Sequence, residues 1–110
     1  NTNGLWVNGG ELLCGLRSRV VAVDLKTKNV RPFVDETGRI DGLVPAGDGS
    51  FLISDWTGAV HLIAPGRPNL KLLDTTPRKV YAADIDYVVA KRMLLVPTFF
   101  DDHVVAYRLD

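Results

Sequence analysis

One short pattern occurs three times along this chain. Asn3-Gly4-Leu5, Asp41-Gly42-Leu43 and Asp84-Ile85 each open a series of short apolar segments, at a spacing of roughly 40 residues. Turn residues separate the apolar segments about every ten residues, and no long stretch has the periodicity of an amphipathic helix. The sequence therefore predicts an all-β chain built from three similar units.

The repeat length predicts how the strands are arranged. A period of roughly 40 residues is typical of β-propeller blades, each of which is a four-stranded antiparallel sheet. We expect a single partial β-propeller over residues 1–110, with eleven strands in about three blades at approximately 1–38, 39–80 and 81–110. Three blades make half of a six-bladed ring, and the third blade has one strand fewer than the others.

Half of a propeller ring is expected to need further protein chain to complete it. The terminal blades would each expose an apolar face and an unpaired strand edge, which proteins usually cover. The chain also begins at Asn1 rather than at a methionine, which indicates that an upstream segment was removed. We therefore expect either another copy of the chain or an N-terminal half to complete the propeller.

Composition narrows the possible functions. A hydrophobic content of 46% with 24% charged residues is that of a folded globular protein rather than of a disordered one. Thirteen basic and thirteen acidic residues cancel, so no electrostatic field favours nucleic acid or an anionic membrane. No apolar run approaches the roughly 20 residues that span a bilayer. The single cysteine, Cys14, is expected to be a small buried residue.

The predicted strand order places several polar and aromatic residues at one end of the sheets. Because the chain runs up and down within each blade, the three openers share an end with the loops between the second and third strands. Those loops contain Arg17, Trp56, Phe99 and Phe100. Small-molecule sites are usually concave and formed by such loops, so we expect the functional face here.

The openers and the last unit carry a family resemblance. The chain resembles the C-terminal half of the gluconolactonase, senescence-marker and luciferin-regenerating-enzyme family of six-bladed β-propellers. The resemblance rests on these segments: Thr2-Asn3-Gly4-Leu5, Ile40-Asp41-Gly42-Leu43, Ala82 to Tyr87, Leu94 to Phe100 and Val104 to Tyr107.

The resemblance implies a metal-dependent hydrolase of lactones or related esters, acting on a lactone or sugar acid derivative. In that family an Asn, an Asp and a Glu hold one divalent cation; Asn3 and Asp41 match the first two, and nothing in this chain matches the Glu. Ca²⁺ suits such oxygen ligands best, with Zn²⁺ as a second candidate. Asp41 or Asp84 would accept the proton of the attacking water.

The loops at the same end of the sheets contain the residues that are predicted to bind the substrate. Trp56, Phe99, Phe100 and Arg17 would surround the substrate at the channel mouth.

Other interpretations remain open for the same residues. Asn and Asp before Gly are common turn residues, Asp84 could instead bind the backbone of a linking loop, and the chain could be a non-catalytic binding or assembly module. His61 and His103 lack partners at metal-ligand spacing, so each ring is expected to find its hydrogen bonds locally. Neither a nucleophile elbow nor a phosphate-binding glycine loop is present.

Overall fold

The structure, a computed structural model that describes residues 2–110, is all-β. Its eleven strands form three antiparallel sheets in which neighbouring strands follow chain order. Sheet 1 contains β1 (Leu5–Asn8), β2 (Glu11–Gly15), β3 (Arg19–Asp24) and β4 (Val30–Asp35). Sheet 2 contains β5 (Ile40–Gly47), β6 (Ser50–Asp55), β7 (Ala59–Ile63) and β8 (Leu70–Asp74). Sheet 3 contains β9 (Asp86–Val88), β10 (Met93–Pro97) and β11 (Val104–Arg108).

The strand content agrees with the prediction, whereas no ring is closed by residues 2–110. All eleven predicted strands are present, in sheets of four, four and three strands. The sequence did not predict three short 3₁₀ helices, which lie at Thr76–Arg78, Val89–Lys91 and Phe99–Asp101. The described part of the chain contains no α-helix, and therefore no helix long and apolar enough to cross a membrane.

Sheet 2 lies between the other two sheets and has a buried apolar face on each side. Successive side chains of a strand point to opposite faces, so neighbouring residues of one strand enter different cores. Leu43 and Ile53 pack with Leu13 and Val20 of sheet 1, while Val44 and Leu52 pack on the other side with residues of sheet 3. This double burial explains why the strands of sheet 2 are nearly continuous in apolar residues.

The first strand of each sheet lies next to the first strand of the following one. β5 contacts both β1 and β9. The three openers stand at the starts of these strands, since Asn3 precedes β1, Asp41 is the second residue of β5 and Asp84 precedes β9. Three positions that are roughly 40 residues apart in the sequence therefore meet at one end of the molecule.

Candidate functional site

Side chains from the starts of the three sheets meet at this end. The Asn3 amide Nδ2 donates a hydrogen bond of 2.5 Å to Asp41 Oδ1. Asp84 lies close enough to Asp41 for its charge to act on the Asp41 carboxyl. We call Asn3, Asp41 and Asp84 the opener cluster. The predicted convergence of these residues at one end of the sheets is thus what the structure shows.

A β-bulge fixes the position of Asp41. Ile40 pairs with Asp55 and Leu43 pairs with Ile53, so Asp41 and Gly42 together oppose the single residue between those two partners. Bulges bend the strand and re-aim side chains, and they often occur beside functional sites. Here the bulge brings Asp41 towards Asn3.

Ser54 replaces the hydrogen bonds that the bulge removes. Its hydroxyl accepts a 2.8 Å hydrogen bond from the Gly42 N–H and donates one of 2.7 Å to the Ala83 carbonyl. Ser54 is fully buried, so neither backbone group has water as an alternative partner. One hydroxyl therefore joins the residue after Asp41 to the residue before Asp84.

The electrostatics of the opener cluster favour a cation. Burial raises the pKa of Asp41 above its ordinary value; the Asn3 hydrogen bond lowers it, and the nearby charge of Asp84 raises it further. No hydrogen bond to the Asp84 carboxylate occurs within residues 2–110, and its alternative role in binding the backbone of a linking loop stays a prediction. Two carboxylates and one amide oxygen are hard ligands of the type that Ca²⁺ prefers.

The cluster is small for a metal centre. Nowhere in the described chain do three or more His, Cys, Asp or Glu side chains group together in a way that could hold a metal ion. Asn3 also acts as a turn residue, because its Oδ1 accepts a 3.1 Å hydrogen bond from the Gly4 N–H. The turn interpretation of Asn3 therefore holds alongside its contact with Asp41.

A cavity of 340 Å³ adjoins the cluster on the side of sheet 1. It is lined by Asn3, Leu16, Arg17, Arg39, Ile40 and Trp56. Arg17 belongs to the β2–β3 loop, Arg39 to the segment that links sheets 1 and 2, and Trp56 to the β6–β7 turn. Two of the predicted substrate-binding residues, Arg17 and Trp56, thus line one cavity with Asn3. We call it the Arg17–Arg39 cavity.

The remaining aromatic residues of this end pack against Trp56. The Trp56 ring has edge-to-face contacts with Tyr81 at 5.1 Å, Phe99 at 4.9 Å and Phe100 at 6.2 Å between ring centroids. Phe99 and Phe100 do not line the Arg17–Arg39 cavity, and both are largely exposed. Their predicted contact with a substrate stays a prediction, whereas their contact with Trp56 is direct.

Phe99 has an unusual backbone. Its φ of +62° lies in the left-handed region, which a bulky side chain rarely adopts and which costs of order 1 to 3 kcal/mol. Thr98, at the preceding position, holds the loop closed, since its hydroxyl donates to the His103 carbonyl and accepts from the His103 N–H. The strained conformation places the Phe99 ring on Trp56.

Three residues of this end escaped the sequence-based prediction. Arg39 and Tyr81 lie in linking segments and only the fold places them beside Trp56. Ser54 does have a sequence signal, because it is a polar residue directly after the apolar run Phe51-Leu52-Ile53. A polar side chain in such a strand must find a buried partner, and that partner is the backbone of two openers.

The two histidines differ from each other. His103 follows the expectation, with its Nδ1 hydrogen-bonded to the Asp101 carbonyl. For His61 the expectation is wrong, because both ring nitrogens are buried and neither has a hydrogen-bond partner among the described residues. Cys14 is buried, as predicted.

Comparison with known proteins adds no identification. No family model matches the chain, and no curated protein or solved structure compared with it gives a significant match.

Proposed function

We propose that the three sheets are blades of a β-propeller and that the chain is part of a gluconolactonase-like, divalent-metal-dependent lactone or ester hydrolase. The propeller proposal is supported by the chain-order antiparallel sheets, the face-to-face packing of successive sheets and the contacts among their first strands. In a propeller the first strands line the central channel. The opener cluster would then lie at the channel mouth.

The convergence of Asn3, Asp41 and Asp84 carries the hydrolase proposal. Asn3 Oδ1 and the two carboxylates would hold the cation, and waters would fill the remaining positions that a hard cation such as Ca²⁺ requires. Rotation of the Asn3 amide would free Asp41 Oδ1 for this role. A bound cation would supply polarisation of the substrate carbonyl and a more acidic water.

The residues of the chain would handle the proton and the substrate. In lactone hydrolysis the water oxygen bonds to the carbonyl carbon, the ring C–O bond breaks, and the product is a hydroxy acid. Asp41 or Asp84 would accept the proton of the attacking water and return it to the ring oxygen that leaves, since both carboxylates lie at the site.

The proposal is tested by metal binding and turnover in matched variants. Calcium titration by calorimetry and metal-supported hydrolysis of a lactone panel are compared for the wild type, Asp41→Ala and Asp48→Asn. Asp48 is an exposed aspartate in the β5–β6 turn, at the other end of sheet 2. We expect Asp41→Ala to lose both properties and Asp48→Asn to keep them. Equal calcium binding in all three proteins would refute the metal assignment.

A second candidate, a non-catalytic module that associates with another copy, is supported by the outer faces of sheets 1 and 3. Residues paired directly across antiparallel strands share a face. By this register the outer face of sheet 1 carries Leu5, Val7, Leu12, Cys14, Val21, Val23, Val30 and Pro32. The outer face of sheet 3 includes Val88, Met93, Leu95, Pro97, Val104 and Ala106.

These two faces would cover each other in a pair of chains. Sheet 3 of one copy would pack on sheet 1 of the other, and the reciprocal contact would produce a ring of six sheets. Light scattering tests this by comparing the wild type with Val7→Glu, on the outer face, and with Val89→Glu, an exposed valine between β9 and β10. We expect Val7→Glu alone to reduce association. A well-folded wild-type monomer would refute the module.

A further inference from the structure

We infer that the Arg17–Arg39 cavity binds a small carboxylate-bearing ligand with a flat ring, the carboxylate on the two guanidinium groups and the ring on Trp56. The inference deepens the proposed function by naming its ligand class. It rests on that function for the reaction, but binding itself requires neither the metal nor catalysis. The charge of the cavity wall is the first observation that supports the inference.

The cavity wall contains two arginines and no acidic residue. Arg17 and Arg39 come from different segments and line the same 340 Å³ space, and none of its other lining residues is charged. Neither guanidinium has a carboxylate within 4.0 Å among residues 2–110, whereas Arg19 and Arg31 each form an ion pair with an acidic residue of their own sheet. Two unpaired guanidinium groups on one concave surface favour an anion, and their planar donor arrays match a carboxylate.

The aromatic part of the wall is held in place from outside the cavity. Trp56 lines the cavity and also contacts Tyr81, Phe99 and Phe100 through edge-to-face pairs. Side chains fixed by packing lose little further freedom when a ligand binds. One of these rings, Phe99, belongs to a residue whose φ lies in the left-handed region. The Trp56 ring is therefore a pre-organised surface on which a planar ligand ring can stack.

The opener cluster sets the orientation of the ligand. Asn3 lines the cavity and is hydrogen-bonded to Asp41, so the cavity is positive at Arg17 and Arg39 and negative beyond Asn3. An anion is attracted to the first region and repelled from the second. The carboxylate end of the ligand would therefore lie on the arginines, and its other end would approach Asp41. A volume of 340 Å³ is within the range of small-molecule sites.

Benzoate is a suitable probe, with benzyl alcohol as a neutral ligand carrying the same ring. Binding is followed by nuclear magnetic resonance of the Trp56 indole, assigned with Trp6→Phe, in the presence of a chelator. We expect saturable benzoate binding with a Kd on the order of 1 mM, and a loss of about tenfold in Arg17→Gln and in Arg39→Gln. Arg67→Gln, which changes an exposed arginine outside the cavity, should bind as the wild type does.

Three outcomes of this experiment would contradict the inference. Equal binding of benzyl alcohol, unchanged benzoate affinity in both arginine variants, or no saturation by about 50 mM benzoate would overturn it. Because the probe is not turned over and the metal is chelated, this failure is separate from that of the hydrolase. Lactone hydrolysis without benzoate binding would leave the proposed function in place and remove only the ligand class.

Discussion

The carboxylate of Asp84 lies directly over the backbone of Gly42. A Cβ atom on residue 42 would be 2.9 Å from Asp84 Oδ1 and 2.6 Å from the Ile85 amide nitrogen. Only glycine allows the start of β9 to approach β5 so closely. The same approach brings Asp84 within electrostatic range of Asp41, so the opener cluster depends on the absence of one methyl group.

Gly42→Ala is expected to separate sheets 2 and 3 at this end. The atom nearest to the added methyl group is the Ile85 backbone nitrogen, which cannot move aside as a flexible side chain can, so we expect a loss of about 1 to 3 kcal/mol in the free energy of unfolding. Urea denaturation measures this loss. Gly10→Ala is the matched control, because a Cβ at residue 10 meets nothing within 4 Å. Equal stability of the two variants would contradict the close approach.

Ser54→Ala removes the hydroxyl that joins two openers. The Gly42 N–H and the Ala83 carbonyl would both be left buried without a partner, at a cost of roughly 2 to 4 kcal/mol. Thermal or urea unfolding measures the cost. Ser50→Ala provides the comparison, since the Ser50 hydroxyl donates only to the Gly47 carbonyl in an exposed turn. If Ser54→Ala lowers the free energy of unfolding by less than Ser50→Ala does, water replaces the Ser54 hydroxyl and the expectation is wrong.

The Asp41 carboxyl is expected to titrate above its ordinary pKa near 3.8, chiefly because of burial. Between pH 3.8 and the higher pKa of Asp41 in the folded state, the folded chain binds more protons than the unfolded one. In this pH range Asp41 therefore makes the free energy of unfolding fall as pH rises. Carbon-detected magnetic resonance of the Asp41 carboxyl follows the titration. Asp84→Asn should lower its pKa and Asn3→Ala should raise it, since these changes remove opposite influences. Shifts of the same sign in both variants would contradict the assigned causes.

His61 is expected to make the protein sensitive to acid. Burial lowers its pKa below 6.5; the charges of Asp55 and Asp74 raise it and that of Lys71 lowers it. Its neutral form therefore contributes stability that is complete above about pH 6.5 and is lost as pH falls towards the lower folded pKa.

Unfolding at several pH values measures the sensitivity. The slope due to His61 should stay below about 1.4 kcal/mol per pH unit, because the ring binds at most one proton. His61→Gln should flatten the dependence between about pH 6.5 and 5. An unchanged slope in His61→Gln would show that other groups cause the effect.

The strands were predictable because their cause is local. Alternating apolar residues and turn residues define each strand regardless of what packs on it, and all eleven predicted strands are observed within residues 2–110. The length of β5 was not predictable, because its first residues form a bulge that depends on Ser54 of the next strand and on Ala83 of the following sheet.

The sequence alone determined the eleven strands found within residues 2–110 and the spacing of the three openers at one repeat, because period and turn residues are encoded within each unit. Only the tertiary structure decided which side chains meet. Arg39 lies with Arg17 and Trp56 around one cavity, and Tyr81 contacts Trp56, while the ring of His61 has no hydrogen-bond partner in the part of the chain that the structure describes. Each of these results from how the sheets and linking segments pack. Such contacts join residues far apart in the chain, so they depend on the stacking of whole sheets rather than on any local pattern.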